Sequence, residues 1–169
     1  MADLIPLAEI DPDLIEALLD RAFEPERRQR TAYRIRDGMD WLPGLCFAAL
    51  DDEGHLIGTI QVWPVALTDP EGRSHPMLMV GPVAVEPDRQ CEGFGQALMI
   101  AMLGALDNRA PLPQIMIGDP EYYGRFFGFT AQLTKNWGAP GPFDRDRLLV
   151  RCKNPAILPK EGMLGPWRG

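Results

Sequence analysis

A chain of 169 residues, 46% hydrophobic and 24% charged, has the size and balance of one globular domain and excludes a disordered tail. Its net charge of −7 argues against tight nonspecific binding to nucleic-acid phosphate. The longest apolar run, residues 97–103, falls far short of the roughly 20 residues of a membrane helix, and Met-Ala-Asp-Leu at the start has no basic or apolar leader. The expectation is a single cytoplasmic domain with neither nucleic acid nor membrane as partner, its core over about 3–152 and a C-terminal tail over 153–169.

The rarer residues exclude more. Cys46, Cys91 and Cys152 are odd in number, far apart and without a CxxC, which argues against a disulfide framework and against a cysteine zinc site; no metal is expected. There are two histidines (His55 and His75) and one serine, Ser74, which sits in a loop-like string with no GxSxG elbow. Catalysis would have to lean on backbone groups, carboxylates, tyrosines or a cofactor.

Residues 4–7 read as a short strand. Asp11-Pro12 reads as an N-cap and first helical position, and Leu14, Ile15, Leu18, Leu19 and Ala22 give residues 12–22 one apolar face. Residues 24–37 read as a second helix closed by Gly38, its five arginines forming either a solvated face or an entrance for an anionic group. Residues 46–50 and 56–65 read as strands joined by the turn Asp51-Asp52-Glu53-Gly54. The apolar run 76–85 reads as a strand buried on both faces, and Pro82 inside it predicts a bulge or a lost partner near Gly81-Pro82. A loop over 86–92 leads to a helix over 93–107 that is apolar on nearly every face and is therefore expected to be buried. A strand over 114–118, a helix from Asp119-Pro120 to about Phe127, and strands over 129–133 and 147–152 complete a mixed α/β order.

The informative string runs from Val83 to Leu98: a strand, a short loop, and a helix whose first turn holds Gly93 and Gly95. Free amides at a helix N-terminus, backed by the helix dipole, favour an anion, and glycine lets a diphosphate approach the backbone. The same glycines also permit close packing of helix on sheet. The third glycine of a dinucleotide fingerprint is replaced by Leu98, and no Walker loop is present, although a nucleotide-binding loop stays open as a reading.

Val80-Gly81-Pro82-Val83-Ala84-Val85-Glu86-Pro87 followed by Gln90-Cys91-Glu92-Gly93-Phe94-Gly95 resembles the [QR]-x-x-G-x-[GA] loop of the GNAT superfamily of acyl-CoA-dependent N-acetyltransferases. Ile117-Gly118-Asp119-Pro120-Glu121-Tyr122-Tyr123-Gly124-Arg125-Phe126-Phe127-Gly128-Phe129 is similar to the G-D-x-x-Y-Y-x-R-F-G-F segment of a bacterial branch of that superfamily. The resemblance implies an α/β fold with a mixed, mostly antiparallel sheet, helices on both faces and a splayed central parallel strand pair. It implies acetyl-CoA as cosubstrate, with pyrophosphate on the amides of Cys91, Glu92, Gly93, Phe94, Gly95 and Gln96 beside Gln90, and pantetheine along Val83, Ala84 and Val85. It implies direct attack by the primary amine of a small-molecule or peptide acceptor, and homodimers are common among similar proteins.

The resemblance further implies a tyrosine acid for the departing thiolate. Here Phe126-Phe127 carries one residue more than the family's segment, so Tyr123 fits if the helix bulges by one residue; otherwise Tyr122, or neither, takes the role. A phenol of ordinary pKa, about 10, would be nearly balanced against a thiol of about 8.5. Glu86 is the candidate base, with a water chain as the alternative. The broken tyrosine spacing also leaves open a CoA-binding sensor or partner protein without catalysis.

Overall fold

The computed structural model describes residues 3–106 and 111–169. Its strands are β1 (Asp3–Pro6), β2 (Phe47–Leu50), β3 (Leu56–Thr68), β4 (Ser74–Val85), β5 (Gln114–Ile117), β6 (Asn136–Gly138), β7 (Leu148–Arg151) and β8 (Glu161–Pro166). Its α-helices are α1 (Pro12–Phe23), α2 (Thr31–Ile35), α3 (Phe94–Ala105) and α4 (Pro120–Phe127). The sheet runs β1-β2-β3-β4-β5-β7, with β8 on β3 and β6 on β8. It is mostly antiparallel, and β4 pairs in parallel with β5 at Leu78–Gln114 and Met79–Ile115, both upstream of Gly81-Pro82. The Gly81-Pro82 peptide is cis. Among the described residues no helix is long and apolar enough to cross a membrane.

The chain divides into two compact units, one of 1–28, 41–62 and 80–107, the other of 29–40, 63–79 and 108–169. In the first, Asp11 caps α1 by accepting from the Asp13 N–H, and Ile15, Leu18 and Leu19 turn inward while Leu14 stays 54% exposed. Helix α3 lies against β2. Gly58 leaves room for it: a Cβ there would stand 3.1 Å from Leu98 Cδ1 and 3.3 Å from the Ala84 carbonyl oxygen. Leu98, Met99 and Met102 are buried, but Ile100 is 60% exposed, so α3 is not enclosed on every face as its composition suggested. Residue 107, the expected last residue of that helix, lies outside the described residues.

The second unit packs Ile35, Val65, Leu67, Met77, Met79, Ile115, Trp137, Leu148, Val150 and Leu164 into one core. Trp137 is fully buried and donates its indole N–H to the Pro159 carbonyl at 3.0 Å, which satisfies its one polar atom. Strand β8 comes from the stretch read as a C-terminal tail: Val65–Thr68 pairs antiparallel with Met163–Pro166, and β6 pairs parallel with β8.

Three sequence readings are corrected. The single helix over 24–37 is a 3₁₀ turn, Pro25–Gln29, followed by the five-residue α2. Its arginines are not a uniformly solvated face. Arg27 is 2% exposed and bonds Glu16 at 3.0 Å and Asp20 at 3.2 Å, while Arg36 lies between the rings of Tyr33 and Trp63, 4.1 and 3.7 Å from their centroids. The strand over 129–133 reduces to one bridge, Thr130 to Val150. The loop over 86–92 is a 3₁₀ helix, Pro87–Glu92, because Pro87 supplies its first φ and the Glu86 carbonyl accepts from the Arg89 N–H at 2.8 Å.

Candidate active site

In the first unit, β4 ends at Val85 and the chain turns through Pro87–Glu92 into α3. Gly93 takes φ +86°, a left-handed conformation that disfavours any L side chain, and serves as the N-cap of α3. Gly95 tucks its Cα toward Val85, where a Cβ would meet Cγ2 at 3.7 Å. Helices α1 and α4 begin with an aspartate cap and an acidic first turn; α3 has neither a side-chain cap nor an acid there. The first-turn amides of Phe94, Gly95 and Gln96 have no carbonyl of their own helix to bond, so the positive end of α3 is left for an anion.

The neighbouring side chains sort by burial. Val83 is half-buried, Ala84 and Val85 are buried, and Phe94 turns into the core, while Gln90, Cys91, Glu92, Gly93 and Gln96 are exposed. Gln90 Nε2 donates back to the Val85 carbonyl at 3.4 Å, tying the turn to the strand end. Arg89 bonds Glu92 and lies 5.3 Å from the centre of the Phe94 ring.

Glu86 has a partner that sequence spacing could not reveal. Arg21 of α1 donates Nε to Oε1 and Nη2 to Oε2, both at 2.8 Å. The hydrogen-bonded guanidinium holds the Glu86 carboxyl below its ordinary pKa, and the carboxylate raises that of Arg21. The pair lines an open concavity of about 490 Å³ together with Asp51, His55, Asp88 and Arg89.

In the second unit, Asp119 caps α4 by accepting from the Glu121 N–H at 3.0 Å. The far end is unusual. Gly128 N–H reaches the Gly124 carbonyl, as in an αL close, and also that of Tyr123, while Phe129 N–H reaches Tyr123 at 3.2 Å, one residue further back than the Gly124 carbonyl that a Schellman close would use. The close of α4 is thus widened, with the Tyr123 carbonyl accepting from both Gly128 and Phe129. Tyr123 packs edge-on to Tyr122 with centroids 4.9 Å apart and lies near Phe127 and Phe129. Burial first, then the fields of Tyr122 and Asp119, push its phenol up to about 12, with Arg147 opposing. An ordinary phenol was expected; this one is a weaker acid.

The chain matches the model of the acetyltransferase (GNAT) domain over residues 4–131. The solved structure of the GNAT family N-acetyltransferase YhbS from Escherichia coli in complex with CoA is similar, with TM-score 0.75 and 25% identity over 98% of this chain and 89% of that one. A GNAT family acetyltransferase from Brucella melitensis in complex with acetyl-CoA is also similar, with TM-score 0.55 and 25% identity over 90% of this chain and 97% of that one. Eis1 from Mycobacterium abscessus shares the fold, with TM-score 0.53 and 20% identity over 78% of this chain and 31% of that one. Comparison with curated proteins finds no match. The chain belongs to the GNAT acetyltransferase family.

Proposed function

We propose that this protein transfers an acetyl group from acetyl-CoA to a primary amine, without a metal and without an acyl-enzyme. The observation that carries the reading is the N-terminus of α3: Gly93 at φ +86°, no acidic residue in the first turn, and a helix dipole directed at the space before Phe94. Amides of a first turn built this way fit a pyrophosphate, and complexes of two similar proteins with CoA and acetyl-CoA support the same donor. Bound acetyl-CoA supplies the acetyl group as a thioester.

The chain's own residues then have these roles. The amides of Phe94, Gly95 and Gln96, with the loop from Gln90 through Gly93, hold the diphosphate. Backbone of Val83, Ala84 and Val85 aligns the pantetheine, and an amide near Val85 stabilises the oxyanion by about 3 kcal/mol. Glu86 draws the acceptor's ammonium and takes its proton through water. Its lowered pKa keeps it charged but makes it a weak base. Tyr123, protonated throughout the neutral range, donates a hydrogen bond to the departing sulfur. Complete proton transfer to a thiolate of pKa about 8.5 is uphill by about 3 units, so water finishes the protonation. Tyr122 stands beside it as the alternative donor.

A cytoplasmic location, a small-molecule or peptide acceptor and a homodimer belong to the same reading. The engagement of both Glu86 oxygens by Arg21 favours a second reading, a CoA-binding sensor that does not turn over. Release of free CoA thiol from acetyl-CoA across a panel of amines separates the two: transfer to any amine supports the enzyme, and tight CoA binding with no transfer supports the sensor.

A further inference from the structure

Gly118, at the end of β5, has no left-handed φ to explain it. A Cβ built on it would stand 2.9 Å from Cε2 and 3.0 Å from Cδ2 of Tyr123, closer than side-chain carbons approach, and 3.3 Å from Met116 Cε. The backbone around it is pinned. Gly118 N–H donates to the Arg147 carbonyl at 2.9 Å, continuing the β5–β7 ladder, and the next residue, Asp119, is fixed as the cap of α4. The tyrosine backbone is pinned as well, because the Tyr123 carbonyl accepts from both Gly128 and Phe129 in the widened last turn. Tyr122, Phe127 and Phe129 crowd the ring's surroundings. A side chain at 118 therefore has one way to be accommodated, which is to swing the Tyr123 ring.

We propose that Gly118 is a positioning residue: its missing side chain is the seat of the Tyr123 ring, and it acts on acetyl transfer only by fixing where the Tyr123 hydroxyl points. The inference rests on the role proposed above for Tyr123. Misplacing a reacting group by about 1 Å can cost on the order of a hundredfold in rate, so one methyl at 118 is a sufficient probe.

The test is a double-mutant cycle on the full chain with acetyl-CoA and an amine acceptor. Gly118→Ala is expected to lower kcat at least about tenfold while KM for acetyl-CoA stays within about twofold. In a Tyr123→Phe background the same alanine is expected to change kcat by less than about twofold, because the hydroxyl it would misplace is already gone. Full kcat in folded Gly118→Ala, or losses that multiply in the double variant, would overturn the proposal. A second cycle reads stability and needs no turnover: Gly118→Ala should lower Tm beside Tyr123 but not in a Tyr123→Leu background, where the methyl has room. Equal losses in both backgrounds would show that the glycine serves its own backbone. If no amine is acetylated at all, the proposed function falls, and this second cycle still decides whether Gly118 seats the ring.

Discussion

Arg21 holds Glu86 by two parallel hydrogen bonds of 2.8 Å across 65 residues of sequence, fixing the carboxylate at the end of the strand that precedes the α3 turn. The carboxyl's folded pKa lies below its ordinary value, so a step needing the carboxylate persists to lower pH than an unpaired glutamate allows. Arg21→Gln should move the acid limb of kcat/KM to higher pH, as a pH–rate profile will show. A limb that stays in place in that variant would remove Glu86 from the proton path.

The α3 terminus makes a separate prediction about donor binding. Gly95→Val drives a branched side chain toward Val85 and the free amides, and should weaken CoA at least about tenfold, or about 1.4 kcal/mol. Gly95→Ala, whose methyl meets Val85 at an ordinary contact distance, should cost much less. Calorimetric titration of CoA into both folded variants checks the order; equal affinities would place the pyrophosphate elsewhere.

Tyr123→Phe keeps the ring and its neighbours while removing the hydroxyl. It should reduce kcat by about 10²-fold and leave acetyl-CoA affinity within about threefold. If Tyr122→Phe gives that pattern instead, the role belongs to Tyr122. If neither variant slows transfer, water alone protonates the sulfur.

The same phenol predicts an alkaline loss of stability. A folded pKa of about 12 against an unfolded value near 10 means the folded state keeps its proton longer. The resulting stabilisation is complete below about pH 10 and is lost as pH rises toward 12, by about 2–3 kcal/mol in all. Urea unfolding at pH 8 and pH 11 should show about half of this loss in the wild-type chain and a smaller one in Tyr123→Phe. Equal losses in the two proteins would contradict the burial of the phenol.

Arg27 tests the first unit. Its guanidinium is buried while Glu16 and Asp20 reach it from the more exposed side. Arg27→Ala removes a packed side chain and the shared partner of two carboxylates, and should cost about 2 kcal/mol or more by urea unfolding. Arg28→Ala, whose side chain is 53% exposed and makes longer contacts with the same acids, should cost well under 1 kcal/mol.

Features that depend on neighbouring residues were legible in the sequence. Asp11-Pro12 and Asp119-Pro120 start their helices because cap and proline act within three residues. The glycine-bearing terminus of α3 was readable for the same reason, and so was family membership, carried by two short motifs. The extra residue in Phe126-Phe127 was visible as a spacing fault, whereas the double acceptance by the Tyr123 carbonyl from Gly128 and Phe129 was not. Tertiary structure decided the rest, because those outcomes depend on partners far along the chain. Arg21 meets Glu86 from α1, and the short β8 is held by β3 and β6 rather than by its own alternation. Local propensity governs where an element begins, whereas long-range packing governs which side chains meet; the Arg21–Glu86 pair, formed across 65 residues, belongs wholly to the second.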